Sequence, residues 1–408
     1  MSATTKGEPQ AHWRHLAILC LAVVLSMTAW FSATAVGPEL VSLWSLSPAM
    51  SAWLTNGVQI GFVTGALLSS FVNLPDIVRL NRLMAIAALV AALANALLLV
   101  APSPAMAMAS RVLTGMALAG VYPPAMKLAA TWFIKGRGLA LGAVIAALTA
   151  GSALPHLTRA FSGSLDWQVV VISASVALIA AAILFQTAIH EGPYPFSRAV
   201  FRLGQIRDVL RDRNLLLANL GYFGHMWELY AMWAWLLTYL RAAPALADLS
   251  PGAASGLTFA AIAAGVVGCF AGGILSDRYG RTATTAGMMI TSGACAAFIG
   301  FAFVGPAWLL ALVILIWGAS IIGDSAQFSA AVTELSDPRL VGTALSLQMA
   351  IGFLLTVGAI WLMPVLAEAL DSWQWVFLFL VPGPAIGAGA MLALRRNPAS
   401  LKLAQGRR

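Results

Sequence analysis

Two ionisable side chains, His225 and Glu228, stand three residues apart in GYFGHMWELYAMWAW (Gly221–Trp235), an otherwise apolar stretch without loop signals. On a helix, Tyr222, His225, Glu228, Leu229 and Met232 fall broadly along one face, so the imidazole and the carboxyl can share a hydrogen bond. Burial disfavours the charged form of each group and pairing favours it, so such a couple can take up a proton from one side and release it to the other. The plainer reading is a static buried pair that fixes helix packing. Asp324, in GDSAQFSAAV, is a second deep carboxylate, with Gln327 one turn later on the same face. Solute contact, a second protonation site and a bond to neighbouring serines are all open to it.

The deep cations suggest a solute. Arg111 and Lys127 lie inside one apolar run, and His156 and Arg159 lie near the end of the next. Each is close enough to an interface for its stem to snorkel, yet a cationic lining between such helices suits a small anion. Gln59, Trp30, Trp227, Tyr222 and Gln327 complete the candidate solute-binding set with Arg111 and Lys127. For Gln59, Asn56 and Gln348 the blander role is a helix–helix hydrogen bond, and for the deep tryptophans it is packing. Gly57, Gly61 and Gly65 form a small-residue stripe that allows close helix approach.

These residues need elements that hold them in lipid. The chain has 408 residues, 60% hydrophobic and only 9% charged, against roughly 25% charged in soluble domains. Apolar runs long enough to span a bilayer recur along it, and only helices or closed barrels satisfy their backbone there. Twelve spans are expected, near 16–37, 51–73, 83–101, 105–130, 138–160, 167–189, 215–240, 253–275, 284–304, 307–331, 342–365 and 373–394. With both termini inside, all of the 23 Lys and Arg residues except Arg111, Lys127, Arg159 and Arg241 fall on the cytoplasmic side. That asymmetry sets the orientation and accounts for the net charge of +8 without a nucleic-acid partner. Ala33-Thr34-Ala35 mimics a signal-peptide cleavage site, but its removal would spoil the alternation. Cys20, Cys269 and Cys295 fall inside spans, with no disulfide framework or metal-ligand spacing.

The expected fold is therefore an all-α membrane protein: six spans in 1–189, a basic linker at 190–214, six more in 215–394 and a tail at 395–408. Phe196, Val200, Leu203 and Leu210 share one face of the linker, which reads as a helix lying on anionic lipid. The loop after span 8, Gly273-Ile274-Leu275-Ser276-Asp277-Arg278-Tyr279-Gly280-Arg281, resembles the signature inner loop of the major facilitator superfamily, G-x-L-x-D-R-x-G-R. Arg111-Val112-Leu113-Thr114-Gly115 resembles that family's R-x-x-x-G motif, Gly136-Arg137-Gly138 its next inner loop, and Gly151 with Pro155 its glycine–proline feature. The matching first-half loop, Asn73 to Arg82, has no glycine turn and a shifted acid, Asp76, so its gate is expected to be wired differently. The resemblance implies two rocking six-helix bundles with a central solute site. It also implies an inner gate built on Gly273, Asp277, Arg278, Gly280 and Arg281.

The leading expectation is a monomeric, proton-coupled secondary transporter of a small anion, such as a carboxylate or inorganic anion, in a bacterial-type inner membrane. Glu228, His225 and Asp324 would carry protons. Nitrate and nitrite porters of that family are a natural comparison, but spans 2 and 8, where that group carries its substrate arginines, contain none here, so the resemblance disfavours nitrate. The alternatives are a proton antiporter exporting amphipathic compounds and a non-transporting sensor on the same scaffold. No catalytic constellation, cofactor motif, phosphate loop or metal set points to an enzyme.

Overall fold

The computed structural model describes residues 8–133, 137–162, 166–194, 203–248, 250–337 and 339–408. Lys135, Gly136 and the linker residues Phe196, Arg198, Val200 and Arg202 lie outside them. The longer helices are α1 (Glu8–Met27), α2 (Trp53–Phe71), α3 (Leu80–Ala96), α4 (Pro104–Leu118), α5 (Tyr122–Trp132), α6 (Arg137–Ser162) and α7 (Gln168–Thr187). They continue as α8 (Arg213–Ala242), α9 (Pro251–Tyr279), α10 (Arg281–Ala302), α11 (Ala307–Gly323), α12 (Ser325–Leu335), α13 (Val341–Ala369) and α14 (Pro382–Arg396). There is no strand among the described residues.

Nine helical stretches in the described residues, from Leu80–Val100 to Val376–Arg396, are long and apolar enough to cross a membrane. The expected spans near 16–37, 51–73 and 215–240 are helical too but are not in that set. The first is cut short, with only His12–Met27 as an apolar helix. The other two carry the polar residues that the site uses.

Start signals are local. Ser103, Ser250 and Asp212 cap α4, α9 and α8 by accepting backbone N–H bonds from the first turn. Three expected spans are broken. Turns at 28–31 separate α1 from the short helix Ser32–Ala35, residues 119–121 separate α4 from α5, and Asp324 separates α11 from α12. Such breaks survive in a membrane only where other groups take up the freed backbone.

Packing pairs α1 with α6 and α7, α3 with α7, and α2 with α4; beyond residue 213 it pairs α8 with α13 and α14, α9 with α11, and α10 with α14. Two seams, α6 with α9 and α2 with α13, join the earlier helices to the later ones. The glycine stripe is structural, as its spacing suggests. A Cβ at Gly61 would stand 2.0 Å from the Val112 carbonyl oxygen, and one at Gly115 would stand 2.1 Å from that of Val58. The α2–α4 backbones are therefore in contact. In the linker, the described turn Ile206–Arg211 buries Val209 and leaves Leu210 51% exposed.

Candidate functional site

The break after α1 is held by Arg111. Its Nη2 donates to the carbonyls of Ala29 (2.7 Å) and Trp30 (2.8 Å), and its Nη1 to Asn95 Oδ1 (2.8 Å) and Ser32 Oγ (3.2 Å). Asn95 in turn donates to Val171 O and Ser175 Oγ and accepts from Ser32. Arg111 is fully buried and does not snorkel. Its charge satisfies carbonyls that the missing helical turn leaves open, and this bonding takes it out of the free cationic lining expected of it.

Beneath the break lies an aromatic layer. Trp30 packs on Phe62 (4.9 Å between ring centroids), Tyr230 (5.8 Å) and Phe353 (6.0 Å), and Phe31 on Trp233 (5.9 Å). Rings from both sides of the α2–α13 seam thus close on one another. The Trp30 indole N–H and both amide atoms of Gln59, one turn from Phe62, have no protein partner.

One to two turns along α8 is the ionisable centre, and its pairing differs from the sequence expectation. His225 and Glu228 do not pair with each other. His225 Nδ1 lies 2.9 Å from Asp324 Oδ1, with the two side chains 1% and 2% exposed. Glu228 instead accepts from Trp317 Nε1 (2.7 Å) and Ser292 Oγ (2.9 Å). A separation of three residues turns side chains about 60° apart around a helix, enough to give each a different neighbour. His225 faces α12 and the Asp324 break, while Glu228 faces α10 and α11. Phe328 (5.6 Å) and Tyr222 (6.1 Å) flank the imidazole, and its Nε2 has no protein partner. The Tyr122, Tyr222 and Tyr230 phenols are near enough to interact electrostatically. Gln348 Oε1 accepts from Ser329 (3.5 Å), leaving its Nε2 unpartnered. An imidazole that meets a carboxylate on one nitrogen and nothing on the other can pass a proton between its two sides; a carboxylate held by two donors is poorly placed to do so.

The remaining expected solute contacts move elsewhere. Trp227 is half-buried at the edge of the core and donates to the Phe379 carbonyl (3.2 Å). Lys127 pairs with Asp76 (2.5 Å) and donates to Pro75 O. Gln327 accepts from Arg281 Nη1 (2.6 Å). These last two belong to the end of the molecule where the linker lies, as Glu191 bonding to Leu80 N and Gln205 accepting from Thr343 mark it.

At that linker end stand two ion pairs of opposite polarity. After α2 the loop supplies the acid, Asp76, and α5 the base, Lys127. After α9 the first residue of α10 supplies the base, Arg281, and α12 the acid, Glu334, which also accepts from Ala404 N in the tail. In the signature loop, Gly280 has φ +90° and a Cβ there would stand 1.9 Å from Arg408 O, so glycine is required both for the turn and for the tail's approach. Arg281 forms the pair, whereas Asp277 and Arg278 are exposed. The Asp277 carbonyl accepts from Arg407, Arg278 lies over the Tyr279 ring, and Gly273 makes no close approach. At the far end Glu39 accepts from Arg159 (2.6 Å) and lies 3.7 Å from Arg241. Arg159 is therefore an ion-pair partner, and His156 beside it is fully buried rather than snorkelling.

Sequence reasoning gave no role to Asn95, Ser292, Glu39 or Glu334, and read Trp317 only as a deep ring. The usable signals were Asn95, a lone amide in a span, and Glu39, an acid close to a span end.

The chain is 24% identical over 324 residues to the niacin transporter NiaP of Acinetobacter baylyi, covering 68% of this chain and 69% of that protein. Its structure is similar to that of a bacterial homolog of the human lysosomal transporter Spinster in an inward-facing, unoccupied conformation (TM-score 0.75, 15% identity, 95% of this chain and 98% of that one). It is also similar to the nucleoside transporter NupG (0.72, 17%, 93% and 99%) and to the xylose transporter XylE from E. coli (0.73, 13%, 94% and 98%). The sequence pattern of the Major Facilitator Superfamily matches residues 19–358. With its helical membrane fold, the chain belongs to that superfamily and is a membrane transporter, not an enzyme.

Proposed function

We propose that this transporter moves a small planar carboxylic acid together with protons, by alternating access between two six-helix halves, 1–189 and 215–394. The observation that carries the coupling is the buried His225–Asp324 contact at a helix break, with His225 Nε2 left without a protein partner. Ionisable groups within a membrane are costly and mark proton or solute routes. Asp324 is the proton acceptor in this reading and His225 relays, while Glu228 is near enough to Asp324 for the two carboxyls to repel when both are ionised.

The solute class follows from what surrounds the pair. Arg111 and Lys127 are both committed to other bonds, so no free cation there would neutralise a permanent anion. Neutral donors and rings line the route instead: Gln348, Tyr222 and Phe328 by the pair, and Trp30 and Gln59 at the aromatic layer. A planar acid that enters with a proton suits such a lining, and the likeness to a niacin transporter favours a heteroaromatic one. In this reading the basic linker end faces the cytoplasm, which suits an inner or plasma membrane, and the chain works as a monomer.

The test is reconstitution in liposomes with a trapped pH dye, comparing nicotinate, xylose, a nucleoside and cationic amphipathic compounds. Proton entry with nicotinate, lost in Asp324→Asn and His225→Gln, is the expected result. Nicotinate movement with an unchanged proton signal in Asp324→Asn would remove the coupling assignment. Proton signals only with cationic amphipathic compounds would make the chain an exporter.

A further inference from the structure

Four side chains toward the far end are fully buried and carry polar atoms without a protein partner. These are Asn56 Oδ1, both amide atoms of Gln59, both ring nitrogens of His156 and the Trp233 indole N–H. They come from α2, α6 and α8, on both sides of the molecule's seams. All stand around the break after α1. The Thr34 and Thr55 hydroxyls, 2.7 Å apart, tie its short helix to the start of α2. α6 packs on the same short helix, and Trp233 meets Phe31 edge-on at 5.9 Å. Loose packing does not account for the open bonds, because Asn95 and the Arg111 Nη atoms at the same break are bonded several times over, with only the Arg111 Nε open. Buried polar groups are paired as a rule, and a group left open calls for an occupant.

We propose that Asn56, Gln59, His156 and Trp233 form a second station for the solute, across the Trp30–Tyr230–Phe353 layer from the His225–Asp324 pair. The proposal rests on the reading above for the solute class only. Trp233 Nε1, Gln59 Nε2 and His156 offer donors to a carboxylate or a ring nitrogen, and Gln59 Oε1 and Asn56 Oδ1 accept from a protonated acid. The flat rings of Phe31 and Trp233 suit a planar body. Arg159, one turn beyond His156, and Arg241 hold Glu39 above the station. That cap ties the end of the α1 region to α8 and must part for solute to enter from the far face.

The experiment replaces Cys20, Cys269 and Cys295 by serine and introduces Gln59→Cys. A membrane-impermeant thiol reagent is applied from the face bearing Glu39, with and without nicotinate. Labelling that nicotinate suppresses is expected. In the native-cysteine protein, Trp233→Phe keeps the ring and removes one donor. Nicotinate kcat/KM is then expected to fall about tenfold or more in both directions alike, with the proton-to-solute ratio unchanged. No labelling from that face, labelling that nicotinate and other pyridine carboxylates leave unaffected, or an unchanged kcat/KM in Trp233→Phe overturns the station. Loss of coupling in Asp324→Asn alongside any of these results leaves the coupling assignment standing and removes the station alone.

Discussion

Arg111→Met separates two accounts of the same residue. If Arg111 were a solute-binding cation, its loss would weaken transport and leave the fold intact. The structure gives it four bonds at the α1 break: to the Ala29 and Trp30 carbonyls, Asn95 Oδ1 and Ser32 Oγ. Methionine fills much of the volume but donates nothing, so the Trp30 carbonyl loses its side-chain donor, and the Ala29 carbonyl and Asn95 Oδ1 are left to share the single Ser32 hydroxyl hydrogen. Each buried acceptor left open costs about 1–3 kcal/mol, or roughly 2–6 kcal/mol for the two acceptors left without a donor, the Trp30 carbonyl and whichever of Ala29 O and Asn95 Oδ1 the Ser32 hydroxyl does not serve. Removing a buried charge returns part of this, leaving a net loss of about 2–4 kcal/mol. At roughly 2–4 °C per kcal/mol, the melting temperature in detergent should fall by about 4–16 °C. Arg111→Lys, which keeps the charge but not the fork, should fall in between. The assay is thermal unfolding of purified protein followed by tryptophan fluorescence. An Arg111→Met melting temperature within 1–2 °C of wild type would refute the stapling argument.

Gly61→Ala and Gly115→Ala each place a methyl about 2 Å from a backbone oxygen of the facing helix, so both should cost at least about 1–3 kcal/mol and lower the yield of folded protein on size exclusion. Glu228→Gln, which loses a bond from one of two fixed donors, should reduce thermal stability while proton coupling survives in the dye assay; abolished coupling at unchanged stability would return Glu228 to the relay. Asp76→Ala should change stability by less than about 1 kcal/mol, because the pair is partly exposed. It should nonetheless alter the transport rate, and the exchange Asp76→Lys with Lys127→Asp should restore that rate if the lock acts as a pair.

The GYFGHMWELYAMWAW stretch shows what one dimension can carry. Lipid makes ionisable groups expensive, so His225, Glu228 and Asp324 stood out from the sequence without any partner being known. The same economy made the membrane class, the helices and the glycine stripe legible, since span length, lysine and arginine placement and i, i+4 spacing are local quantities. The superfamily was legible through the GILSDRYGR loop, where a tight turn and a fixed charge must occur together. Partners were not legible, because they depend on which neighbouring helix a side chain meets. Three residues of separation on α8 turned Glu228 toward Trp317 and His225 toward Asp324, 89 and 99 positions away. Arg111 read as a free cation because the broken turn at residues 28–31, which it staples, appears only when α1 and α4 are packed together. Lys127 and Gln327 read as solute contacts until folding brought Asp76 and Arg281 beside them. Sequence determined which groups are costly to bury, and tertiary structure decided what satisfies each of them.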